Sequence, residues 1–335
     1  METLIHQLIA QTDLSFEQAT EFFDAVMKGQ VNEIQLSAAL IALKIKTETA
    51  DEIAGAAKAM RANAIPFNPT APLTADSCGT GGDGSNTINI STTAAIVAAA
   101  CGLNMVKHGN KSVSSNSGSA DLLTALGINI HMTPEQASHC LDQTGFTFLF
   151  APLYHQGVKH AMPVRTTLKT RTIFNILGPL ANPAAPQVQL LGVYDPALCQ
   201  PMAETLRTLG CKRAMVVHGA GTDEIALHGE TQVVELNQGE LTHYTLTPSD
   251  FGLAHFPLSD LAGHGPESNA QASTAILSGV GSEAHNAAII ANVAALLYLA
   301  DKAESFRDAA DSVRTVLQSG SALTTLNNII EASHG

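Results

Sequence analysis

The stretch GTGGDGSNTINIST, residues 79–92, decides how the rest of the chain is read. Gly79, Gly81 and Gly82 precede Asp83 and a run of hydroxyl and amide side chains. Glycines admit positive φ and let backbone N–H groups approach an anion closely. An apolar, helix-like run from Ala94 to Val106 follows directly, so the expected unit is a glycine loop feeding a helix N-terminus that points at a phosphate. A second stretch, KHGNKSVSSNSGSADLL at 107–123, adds cations and hydroxyls. Two such loops, about one supersecondary unit apart, suit one ligand with phosphates at both ends.

Common phosphate motifs fit less well. Gly79, Gly81 and Gly84 satisfy G-x-G-x-x-G literally, yet about 20 residues on, where a dinucleotide fold ends its second strand with an acid, the chain reads CGLNMVKHGN. No Gly-Lys-Ser/Thr closes the loop as a Walker A motif requires.

Outward from this segment, 335 residues suit two domains, and 45% hydrophobic with 14% charged residues describes a chain that buries a large core. A net charge of -13 argues against nucleic acid or an anionic membrane as partner, since both need a basic footprint. The balance reverses locally: residues 101–180 hold the six bases Lys107, Lys111, Lys159, Arg165, Lys169 and Arg171 against the three acids Asp121, Glu135 and Asp142. An anionic small molecule is the partner this implies. The five cysteines are scattered and lack a C-x-x-C pair, which reads as reduced thiols in a cytoplasmic protein without a signal peptide. The apolar run Ala284 to Ala300 is short for a membrane span and contains His285, Asn286 and Asn292, so it is expected as a buried helix.

Residues 1–64 read as a helical subdomain, with capping-box signatures at Ser15/Gln18, Asn32/Gln35 and Thr49/Glu52. Pro66, Pro69 and Pro72 place a linker over 65–74. From 75 to 335 short apolar runs alternate with helical stretches, the pattern of an α/β domain with a mainly parallel central sheet. INIHM at 128–132, FTFLF at 146–150, QLLGVY at 189–194 and AMVVHG at 214–219 are the expected strands; VVEL at 233–236 is strand-like.

The ordered set GTGGD (79–83), NIST (89–92), KHGN (107–110), SSNSGSADLL (114–123), PVR (163–165), RTIFNILGPLANP (171–183) and HG-x-G-x-DE (218–224) resembles the anthranilate phosphoribosyltransferase family over essentially the whole chain. The resemblance implies the nucleoside phosphorylase/phosphoribosyltransferase fold class, with the 1–64 subdomain joined by helices near 165–185. It implies a transferase that moves the 5-phosphoribosyl group from phosphoribosyl diphosphate to the amino group of anthranilate, in tryptophan biosynthesis. Mg2+ is the implied cofactor, as two ions, and the implied assembly is a homodimer through the helical subdomain.

By resemblance Gly79, Gly82 and Asp83 form the diphosphate loop, and Thr87, Asn89, Ile90, Ser91 and Thr92 carry the donor into the following helix. Lys107 supplies electrostatic stabilisation, while His108, Gly109, Asn110, Lys111, Ser112, Val113, Ser114 and Ser115 form a loop over the donor and Ser119 contacts its phosphate end. Anthranilate falls to Gly79, Asn110 and Arg165, the guanidinium pairing with its carboxylate. Ser91, Asp223 and Glu224 hold the metal, hard oxygens of the kind Mg requires.

Each residue also has a plainer reading. Asn89 or Ser91 alone is a helix cap, Lys107 a solvated cation, Arg165 a surface ion-pair partner, and Asp223 with Glu224 a solvated turn. His108 either lines the acceptor path or orders its loop. Departures from the family pattern occur at TTLK (166–169), Thr222 and Ala226. The competing functions are a pyrimidine nucleoside phosphorylase and a noncatalytic nucleic-acid-binding relative.

Overall fold

Four helices open the chain in the computed structural model, which describes residues 1–112 and 116–335: α1 (Glu2–Ile9), α2 (Phe16–Met27), α3 (Glu33–Lys46) and α4 (Ala50–Ala62). Ser15/Gln18 and Thr49/Glu52 form complete capping boxes. Asn32 caps α3 through the Gln35 N–H alone. Along α2, Ala19, Phe22, Phe23, Val26 and Met27 are buried while Phe16 is half-buried. Residues 65–74 carry neither helix nor strand.

The sheet then builds from β1 (Ala75–Gly79), β2 (Met105–Gly109), β3 (Phe146–Phe150), β4 (Val188–Gly192), β5 (Arg213–Gly219), β6 (Thr231–Asn237) and β7 (Glu240–Leu246). Its order is β3-β2-β1-β4-β5-β6-β7, parallel through β5 and antiparallel for β6 and β7. The chain runs outward from β1 to β3 and returns to β4, which makes the β1/β4 junction the topological switch point where α/β sheets place ligands.

Helix α5 (Ile90–Ala100) links β1 to β2; α6 (Ser119–Ala125) and α7 (Pro134–Thr144) lead to β3. The short α8 (Ala151–Tyr154), α9 (Met162–Leu168) and α10 (Phe174–Leu177) lead to β4, and α11 (Cys199–Thr208) to β5. After β7 come α12 (Pro266–Leu277), α13 (Glu283–Leu299), α14 (Phe306–Gln318) and α15 (Ser321–His334). Two apolar cores result. One joins α5, α13 and the C-terminal helices to the sheet, and α13 is buried nearly all round, as its composition requires. The other joins α1–α4 to α9, α10, α11 and side chains of β4–β6 such as Leu191, Val216 and Val234.

Two expectations fail. The run from Ala94 to Val106 is not one helix: α5 ends at Ala100, and Met105 and Val106 open β2. INIHM at 128–132 is not a strand. Its alternating Ile128, Ile130 and Met132 are buried, but Asn129 bonds to Ser333 of α15, through N to Oγ at 3.0 Å and Nδ2 to O at 3.1 Å. A helix end, rather than a neighbouring strand, satisfies this backbone. Among the described residues no helix is long and apolar enough to cross a membrane.

Candidate active site

The glycine loop leaves the C-terminal end of β1 at the switch point. Gly79 pairs with Gly192 of β4 in register, and both lie against Asp223 so closely that a Cβ on either would overlap it. Gly81 and Gly82 hold φ of 67° and 74°, left-handed values that L side chains resist. The loop reaches the acidic turn directly: Gly81 N–H donates to Asp223 Oδ2 at 2.7 Å, and Asp223 N–H to Asp83 Oδ2 at 3.3 Å. Thr87 forms an isolated antiparallel bridge to Ala262.

At the start of α5, buried Ile90 fixes the helix in the core and Ser91 N–H donates to Glu224 Oε1 at 3.2 Å. The Thr92 hydroxyl donates to Ser119 Oγ at 3.1 Å, drawing α5 and α6 together. Asn89 stands at the N-cap position but makes no side-chain cap bond, so its plainer reading as a cap does not describe it.

Lys107 on β2 is 1% exposed, which excludes the solvated-cation reading; its Nζ donates to the Ser77 carbonyl. Neighbouring His108 is buried, with Nδ1 3.3 Å from the Gly178 carbonyl and Nε2 lacking a hydrogen-bond partner among the described residues. Burial, then the nearby His155 ring at 5.1 Å, holds His108 well below the usual histidine range, so it is neutral at physiological pH. Beyond it the loop folds on itself. A Cβ on Gly109 would crowd Ser119, Lys111 N–H donates to Asn110 Oδ1 at 2.7 Å, and Ser112 N–H donates to Asp121 Oδ2 at 2.9 Å. Val113, Ser114 and Ser115 lie outside the described residues.

Asp223 and Glu224 follow β5 on a turn closed by the mutual backbone bonds of Gly219 and Thr222. The Thr222 hydroxyl also donates to Gly219 O at 2.8 Å, so this departure from the family pattern serves the turn itself. Burial, then the charge of Asp83, pushes Asp223 up to about 7. Burial, then Asp223, pushes Glu224 well above the carboxylate range, with Lys107 opposing. These acids are not a solvated turn.

Three half-buried carboxylates that repel one another, Asp83, Asp223 and Glu224, are matched to a divalent cation. Among the described residues no three His, Cys, Asp or Glu side chains converge into a cage. Mg does not need one, because it takes one or two carboxylates and completes its shell with water and substrate phosphate. The Asp223/Glu224 pair fits that ion.

Arg165 on α9 lies 5.1 Å from the Phe174 ring and makes no ion pair among the described residues, against its reading as a surface salt-bridge partner. Burial lowers its pKa. The structure adds two residues that the sequence reading passed over. Arg171 stacks 3.8 Å from the Tyr194 ring centre and donates to the Gly82 carbonyl. His218 places Nδ1 2.8 Å from Val193 O and accepts from Gly221 N–H at 3.2 Å, shaping the acidic turn. Both lay inside quoted motifs, which was the available signal.

Residues 2–64 match the helical bundle domain of the glycosyl transferase family, and residues 71–323 match its a/b domain. The anthranilate phosphoribosyltransferase of Pseudoalteromonas translucida is 69% identical over 335 residues, covering 100% of this chain and 94% of that protein. The chain belongs to the anthranilate phosphoribosyltransferase family. The Thermus thermophilus anthranilate phosphoribosyltransferase superposes with a TM-score of 0.94 at 40% identity, covering 99% of each chain. The Saccharomyces cerevisiae anthranilate phosphoribosyltransferase, solved in complex with PRPP and Mg, gives 0.90 at 30% identity, over 99% of this chain and 97% of that one. As a member of the anthranilate phosphoribosyltransferase family the chain is a pentosyl-transferring enzyme of tryptophan biosynthesis, and the phosphorylase and nucleic-acid readings are set aside.

Proposed function

We propose that the crevice at the β1/β4 switch point binds phosphoribosyl diphosphate and transfers its 5-phosphoribosyl group to the amino group of anthranilate, releasing diphosphate. The observation that carries this is the Gly79/Gly192 pair, bare of side chains, with Asp223 seated against it and bonded to the glycine loop. Gly79, Gly82, Asp83, Thr87 and the residues 89–92 hold the donor, together with Lys107, the 108–115 loop and Ser119. Gly79, Asn110 and Arg165 receive anthranilate, the guanidinium, which has no carboxylate partner among the described residues, taking its carboxylate.

Ser91, Asp223 and Glu224 hold Mg, as two ions with the donor bound. An ion held there would supply positive charge toward the departing diphosphate. The chain's own part is to fix the donor between two loops so that the amine meets C1 in line with the leaving group. Lys107 adds a fixed positive charge beneath that site, where burial strengthens it. His108 keeps its Nδ1 proton toward Gly178 and offers Nε2 only as an acceptor. No general base is required, since the proton on an alkylated aniline leaves readily.

We further propose that 1–64, together with the helices near 165–185, forms one unit and 75–335 the donor- and metal-binding unit. The edge-on rings of Phe23 and Phe174, 5.9 Å apart, support the join. The homodimer is assigned to the helical subdomain, where exposed Ile9 and Ile45 line an apolar trough together with Leu8, Ala38, Ile41 and Ala42. A cytoplasmic location follows from this role. The test is the fall in anthranilate fluorescence on mixing enzyme, Mg and phosphoribosyl diphosphate. Loss that requires donor and disappears with EDTA supports the reading; no loss, beside an active control enzyme, overturns it.

A further inference from the structure

An asparagine just before a helix ordinarily folds its side-chain oxygen back onto the first-turn amides. Asn89 precedes α5 and does not. Its Oδ1 instead accepts from Asn269 Nδ2 at 2.8 Å, and its Nδ2 donates to the Ser117 carbonyl at 2.9 Å. Asn269, on α12, is 2% exposed, and its own Oδ1 accepts from His264 N–H at 2.9 Å. That second bond fixes which end of the Asn269 amide faces Asn89.

One helical turn deeper on both elements, the Ser273 and Thr93 hydroxyls lie 2.7 Å apart, fully buried. A polar seam with two rungs therefore joins α12 to α5. Only the outer rung reaches the N-terminus of α5, the end that faces Glu224 through Ser91 N–H at 3.2 Å.

We infer that Asn269 is a positioning residue for donor binding: by holding the Asn89 side chain away from the N-terminus of α5, it prevents Asn89 from capping the helix and keeps the first-turn N–H that Glu224 does not hold available to a donor phosphate. The inference rests on the placement of phosphoribosyl diphosphate at the glycine loop proposed above. Without Asn269, Asn89 is released to cap α5, and the donor must displace it. The same release breaks the Asn89 bond to the Ser117 carbonyl, which ties the start of α5 to the segment before α6.

Steady-state kinetics with Mg, varying phosphoribosyl diphosphate and anthranilate separately, test this on Asn269→Ala and on Asn269→Asp, which keeps the acceptor for His264 but cannot donate to Asn89. The KM for the donor should rise about tenfold, the scale of one lost cap-strength interaction, with kcat and the KM for anthranilate within about twofold. Ser273→Ala should lower Tm and leave the donor KM unchanged; an equal rise there would mean the seam is merely structural and would overturn the inference. The double variant Asn89→Ala/Asn269→Ala should be no worse than Asn89→Ala alone, because Asn269 acts through Asn89. Additive losses would contradict it. Asn89→Ala with an unchanged donor KM would overturn the placement of the donor itself. A raised donor KM in Asn89→Ala, with wild-type values in both Asn269 variants, would remove only the role of Asn269.

Discussion

Gly192 on β4 supports the backbone of Asp223 so closely that there is no room for a Cβ between them. The position of the acidic turn is thus set by the absence of a side chain on the neighbouring strand. Gly192→Ala must push the turn outward and separate Asp223 from the Gly81 N–H. Activity should fall about 10²-fold, the scale of lost transition-state electrostatics. The Mg concentration for half-maximal rate should rise with it, read from a Mg titration of the initial rate; an unchanged Mg requirement would argue against this coupling.

Lys107 is buried beside β1 with its charge acting on Asp76 and Glu224. Lys107→Met keeps the volume and removes the charge. We expect kcat to fall on the order of 10²-fold or more, measured at saturating anthranilate and donor. A fall confined to the KM of either substrate would assign Lys107 to ground-state binding instead.

Arg165 has an aromatic neighbour but no carboxylate partner among the described residues. Arg165→Ala should raise the KM for anthranilate at least tenfold, in line with a lost charge-assisted pair, and leave the donor KM near its original value. Equal losses toward both substrates would contradict the assignment.

His155 is 6% exposed, and burial lowers its pKa from 6.5 to about 4 in the folded protein. The unfolded chain therefore takes up the proton first as pH falls. Stability from this group is complete above about pH 6.5 and is lost between 6.5 and 4, about 2 kcal/mol by pH 5. Tm measured across this window should drop more steeply for the native chain than for His155→Gln. Parallel curves would show that His155 is not the titrating group.

The hydrophobic strands were readable because they are apolar on both faces: FTFLF is β3 residue for residue, and AMVVHG falls within β5. β1 and β2 escaped notice for the opposite reason. Asp76, Ser77, Lys107 and His108 are polar residues buried in central strands, where they bond to neighbouring backbone and to Asn182 and break the apolar pattern. INIHM shows the converse, alternation without a strand partner. Glycines, acids and serines of the site could be placed from motifs, since each motif is local. Asn269 could not, because its partner Asn89 is 180 residues away and nothing in PESNAQ announces it.

The tie between Asn129 and Ser333 has a practical side. His334 also bonds the Gly127 carbonyl at 3.0 Å, so the last turn of the chain is stitched to the segment that leaves α6, the helix beginning at Ser119. An affinity tag or fusion partner joined at Gly335 would hang directly from this stitch. Purification handles are better placed elsewhere, and shortening the chain by even a few residues would unfasten a connection that leads, through one short helix, to the phosphate loop.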